Sequence, residues 1–213
     1  MVKIRLLLIL LITLCLNCVS PSKNINPDYA YDSITFEICA IGSASLPSPY
    51  SLKFLVTKLS NHQVCRAENI TFVLNNSEDS ASEFPIWNTA ALSLARARNR
   101  KIQDLNSEDK NICIFILFVK NKFVTPTLSN LAGLQFGTTI AIFEEQLERS
   151  LEGAVLLHEF GHVMKLGSDR SEAPVNPDRP SHCNNPDCVM FWMVSDPKAD
   201  FDSECIKEIK AMI

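Results

Sequence analysis

A histidine, a glutamate and a second histidine stand at 158, 159 and 162, within Leu156-Leu157-His158-Glu159-Phe160-Gly161-His162-Val163. Four residues along an α-helix is slightly more than one turn, so both imidazoles leave the same face and can share one tetrahedral ion. Glu159 then sits beside the position left open, where a carboxylate can accept a proton from an attacking water. With four histidines in 213 residues, chance would produce this pattern roughly 0.005 times. Histidine pairs on exposed helices do occur without metal. Here Ala154, Val155, Leu156, Leu157 and Phe160 surround the pair, so the helix is expected to be buried, and buried imidazoles need partners.

Two imidazoles leave a hydrolytic zinc site one protein ligand short. The other histidines are His62 and His182. His62 lies in Ser60-Asn61-His62-Gln63, which reads as a solvated turn. His182 opens the segment His182-Cys183-Asn184-Asn185-Pro186-Asp187-Cys188-Val189-Met190. Carboxylates also serve zinc, so Asp169, Asp178 and Asp187 compete for the third position.

The segment from His182 resembles the closing half of the metzincin signature, where a third histidine precedes a methionine in a tight turn beneath the metal. The spacing from His182 to Met190 matches the matrixins, and His182, Cys183, Cys188 and Met190 together match the archaemetzincins. The resemblance covers about residues 133–205. It implies an α/β (α+β) metzincin-like fold with one catalytic zinc on His158, His162 and His182, Glu159 as general base and Met190 as floor. None of the aspartates has such a context, so His182 is assigned over Asp169. The implied activity is a zinc-dependent metalloendopeptidase acting on peptide or protein, with extended substrate added along a strand at Gln135–Phe143. The alternative is an exported protein that binds zinc without hydrolysing; an intact Glu159 argues against it.

The chain also departs from that family. Lys165 and Ser168 stand where metzincins carry a glycine and the third histidine, and Gly167 is displaced by two residues. Gly167 is expected to make the turn instead, with 168–181 as an insertion delivering His182 from further away. Archaemetzincins hold a second zinc with four cysteines; here Asp202 replaces one of them. Cys183, Cys188, Asp202 and Cys205 are all accepted zinc ligands, but an oxidising location favours a Cys183–Cys188 disulfide over this second, structural zinc.

The elements that position these groups follow from patterning. Ile34–Ile41 alternates as a strand, and Leu52, Leu55, Val56 and Leu59 recur at helical spacing. Ile70–Leu74 reads as a strand, and Pro85 opens a helix to about Ile102. The apolar run Ile112–Val119 reads as a strand buried on both faces. One further strand over Gln135–Phe143 and a helix over Leu151–Leu166 complete a β-α-β-α-β-β-α order. It ends in a small irregular C-terminal part.

Residues 1–17 read as a signal peptide: Lys3 and Arg5 precede an apolar run, Leu6–Leu16, that is short for a bilayer span. Cys18 then resembles the lipidated first residue of a bacterial lipoprotein, followed by a tether to residue 32 and the peptidase domain at 33–213. The protein is thus expected to be exported and membrane-anchored, or otherwise secreted or periplasmic, with Cys18 as its only membrane contact. With 20 basic residues against 24 acidic and a net charge of −4, no global positive field exists to bind nucleic acid.

Overall fold

The computed structural model describes residues 28–77, 87–102, 110–124, 131–167 and 181–213. The signal peptide, Cys18, Pro85, Asp169, Asp178 and nearly all of the insertion at 168–181 lie outside them.

The order is β1 (Ser33–Ala40), α1 (Pro49–Asn61), β2 (Ile70–Asn76), α2 (Thr89–Asn99), β3 (Asn111–Val119), β4 (Gly133–Phe136), β5 (Thr139–Phe143), α3 (Glu152–Val163) and α4 (Ser203–Lys210). The five strands form one sheet ordered β2-β1-β3-β5-β4. All neighbours are parallel except β4, which runs antiparallel to β5 at the edge. Strand β3 is central because its apolar run can be covered on both sides. Ile114, Ile116 and Phe118 pack with residues of α1 and α3, whereas Phe115, Leu117 and Val119 pack with Leu92 and Ala95 of α2. The result is a mixed sheet between helices, with α1 and α3 sharing one face.

Helix α1 starts at an N-cap, where the Ser48 side chain accepts from the Ser51 amide. Its Phe54 ring packs on Gly153 of α3, where an added Cβ would come within 3.0 Å of the ring. Fully buried Glu152 accepts from the Ser48 amide (2.7 Å) and from Arg149 (2.5 Å), tying the start of α3 to that of α1. The helix carrying the histidine pair is therefore fixed to α1 both by packing and by charge-assisted hydrogen bonds.

Four expectations change. The strand expected over Gln135–Phe143 is two strands, because Gly137 takes φ +59° and reverses the chain into a hairpin. Helix α2 starts after Asn88, whose side chain caps the Ala91 amide. The C-terminal part contains α4: Asp202 caps it, and Cys205 and Ile209, one helical turn apart, are buried. The end of the supposed tether is already packed, since Ala30 and Tyr31 donate to the Gln63 and Val64 carbonyls and Asp32 donates to Lys110.

Candidate metal centre

Helix α3 presents His158 and His162 one turn apart, and their Nε2 atoms lie 3.1 Å from each other. His182 closes the group, its ring centroid 5.3 Å from that of His158 and 4.8 Å from that of His162. One ligand atom from each of the three lies within 4.8 Å of the others. Nδ1 of His158 is 2.6 Å from the Val189 carbonyl oxygen. A carbonyl only accepts, so Nδ1 carries the proton and Nε2 turns its lone pair towards the other imidazoles. Burial lowers His158 to about 4, with His182 adding to the effect against the Val189 hydrogen bond. Burial, then His158 and His182, lowers His162 to about 3. Three converging imidazoles, that of His158 buried and those of His162 and His182 half-buried, form a donor set that fits zinc.

Glu159 points from α3 towards β4. A Cβ on Gly133 would lie 2.6 Å from its Oε1, so only glycine leaves room for the carboxylate there. Burial raises Glu159 to about 8, partly offset by the Gln135 backbone amide. The group is thus held against the edge strand with a proton affinity suited to exchange near neutral pH. Met190 is fully buried, and its sulfur faces Gly161, where a Cβ would come within 2.2 Å. That makes it a floor under the His158–His162 turn.

The helix ends at the residue where metzincins carry glycine. The Leu166 amide donates to Gly161 and the Lys165 amide to His162, both at 3.0 Å, and Lys165 takes φ +61°. This is a Schellman stop with lysine in the left-handed position. Lys165, not Gly167, therefore ends the helix, contrary to the sequence expectation. Gly167 has a different task. At φ +77° it lets the backbone of Ser181 and His182 approach, with the Ser181 carbonyl 3.2 Å from where a Cβ would stand. Its amide is captured by Glu208 of α4 at 2.7 Å. The two ends of the insertion thus meet, and His182 arrives next to the helix end rather than from a distance.

Cys183 and Cys188 are not joined in the expected disulfide. Each turns elsewhere: Cys183 Sγ lies 2.9 Å from Asp202 Oδ2, and Cys188 Sγ 3.6 Å from Cys205 Sγ. The ligand atoms of Cys183, Cys188, Asp202 and Cys205 lie within 4.8 Å of one another. The Cys188 sulfur also accepts the Met190 and Asp202 amides, both at 3.4 Å. Its pKa falls to about 7, first through Cys205 and then through those amides, against burial. Such thiolate character suits a metal ligand.

His62 is not solvated. Its Nε2 donates to Asp200 at 2.7 Å and its ring meets Phe201 edge-on. No sequence signal marks that pairing, because the partners are far apart in the chain. Asp187 has its amide bonded to Asn185 and is not among the residues of either cluster.

The sheet order, the two-histidine helix and the buried methionine beneath it define a metzincin-like fold. The chain is similar to archaemetzincin from Methanopyrus kandleri, with a TM-score of 0.58 and 14% identity over 88% of this chain and 98% of that one. It is also similar to metalloproteinase-II from Bacteroides fragilis, with a TM-score of 0.51 and 14% identity over 87% of this chain and 55% of that one. No protein-family model and no curated protein matches the sequence.

Proposed function

We propose that the protein is a zinc-dependent endopeptidase with His158, His162 and His182 as ligands and Glu159 as general base. The observation that carries this reading is the convergence of three imidazoles, those of His158 and His162 held neutral by burial, beside a buried carboxyl raised to about 8. Zinc in that site would polarise the scissile carbonyl and acidify the attacking water. Glu159 takes the proton of that water as its oxygen bonds to the carbonyl carbon. It then delivers the proton to the amine as the carbon–nitrogen bond breaks. The edge position of β4 supports a substrate bound as an added strand, and the Gln135 amide holds Glu159 at that same edge. An edge that any stretch of peptide can join supports cleavage within extended chains.

Cys183, Cys188, Asp202 and Cys205 are proposed to hold a second, structural zinc, supported by the thiolate character of Cys188. Export, with Cys18 as lipid anchor, is proposed from residues 1–18 alone; an unacylated N-terminus on membrane-extracted protein would exclude the anchor. The function itself is tested by cleavage of a denatured protein mixture. Activity is expected to vanish with a chelator and return with added zinc. Chelator-insensitive cleavage, or none from zinc-loaded protein, would refute the peptidase reading.

A further inference from the structure

We propose that Asp200 is a positioning residue for His158, acting through the Val189 peptide and anchored on α1. The proposal extends the zinc-site reading above and rests on it for its consequence in catalysis. Asp200 Oδ2 accepts from Lys58 Nζ at 2.6 Å, and Oδ1 accepts from His62 Nε2 at 2.7 Å and from the Phe201 amide at 2.8 Å. Its backbone carbonyl accepts the Val189 amide at 2.8 Å. The Val189 carbonyl in turn accepts Nδ1–H of His158 at 2.6 Å. A continuous path of short bonds therefore runs from α1 to one imidazole of the metal centre.

The path matters because residues 181–200 contain no helix or strand of their own, only isolated bridges such as Cys188–Asp200. Their placement rests on the burial of Cys183, Val189 and Met190 in the core and on such cross-links. Helix α1 already packs on α3, which carries His158. Through Lys58 and His62 at its C-terminal end, α1 also holds the segment that carries Val189. Donor and acceptor of the His158–Val189 bond are thus referenced to the same helix. Lys58 and His62 are largely shielded, with 18% and 15% of their side chains exposed. Although the Asp200 carboxylate is 38% exposed, it accepts from both and from the Phe201 amide, so its position is set by three bonds rather than one surface pair. The carbonyl that accepts from a ligand imidazole fixes its tautomer and its aim, and losing such support costs metal affinity.

The test uses the full chain with ¹⁵N-labelled imidazoles, His158 being assigned by its substitution. In the wild type, His158 is expected to show a proton on Nδ1 that exchanges slowly with water. Asp200→Ala should speed that exchange at least about tenfold. It should also weaken the zinc that His162→Ala abolishes by about ten- to hundredfold in chelator competition. Lys58→Met combined with His62→Gln should move both readouts the same way, and carries the test alone if Asp200→Ala does not fold. Lys207→Met, which breaks the exposed pair with Glu204, should move neither. A folded variant with unchanged exchange and zinc affinity would overturn the proposal, as would an Nδ1 without a proton in the wild type. Failure of the wild type to cleave peptides would instead strike the peptidase reading and leave these two readouts standing.

Discussion

His158 is held from three sides: by the helix that carries it, by the Val189 carbonyl on Nδ1 and by His162 and His182 around Nε2. Such a ring has one useful orientation, and the proposed zinc would complete it. His182→Ala should therefore lower zinc affinity and activity strongly, whereas Asp169→Ala should leave both nearly intact; zinc titration of the two variants checks this. Glu159, the proposed base, is equally constrained. Because a Cβ on Gly133 would intrude on Glu159 within 2.6 Å, Gly133→Ala should displace the carboxylate while sparing the imidazoles. We expect kcat to fall by about tenfold or more with zinc content unchanged, since small misplacements of a reacting group are costly. A parallel loss of zinc would show that Glu159 is not the group disturbed.

Between elements, the joint after α3 governs the placement of His182, the proposed third ligand. The helix must stop within one turn of His162 so that the chain can return, and a left-handed residue does this most cheaply when it is glycine. Lys165 occupies that position at φ +61°. Lys165→Gly should therefore stabilise the protein by about 1 kcal/mol, read from denaturant midpoints, without altering the zinc site. A loss of stability would mean that the lysine side chain contributes more than its backbone costs. The same joint shows why reading the chain linearly placed the turn at Gly167. Glycine is the usual signal, and nothing local announces a left-handed lysine. Strand β3 and helix α3, by contrast, were legible because their burial is written in their own apolar residues. The hairpin of β4 and β5 was merged into one strand, although Gly137 offered a punctuation mark.

For the molecule as a whole, the C-terminal segment is bound to the sheet by buried residues such as Val189, Met190, Phe201 and Ile209 and by long-range polar contacts, and the polar contacts are the least legible part. His62 and Asp200 carry no shared motif, whereas Cys183, Cys188, Asp202 and Cys205 are grouped by the archaemetzincin resemblance, and only their pairing emerges when the segment folds back. These contacts also predict a pH response. Burial alone would raise Asp200, but hydrogen bonds from His62 and Lys58 outweigh it and hold the carboxyl at about 2, below its ordinary 3.8. A depressed carboxyl stabilises the fold above its unfolded pKa, and that contribution is lost as pH falls from about 4 towards 2. In chelator, the Tm advantage of the wild type over Asp200→Asn should shrink across that window; a constant difference would contradict the linkage. The central claim is that these residues perform peptide hydrolysis with Glu159 as the base. The most direct measurement is kcat/KM on a fluorogenic peptide library for wild type and Glu159→Gln, both shown to carry the same zinc. The account predicts a fall of about a hundredfold or more in the variant, and equal rates from the two equally loaded proteins would contradict it.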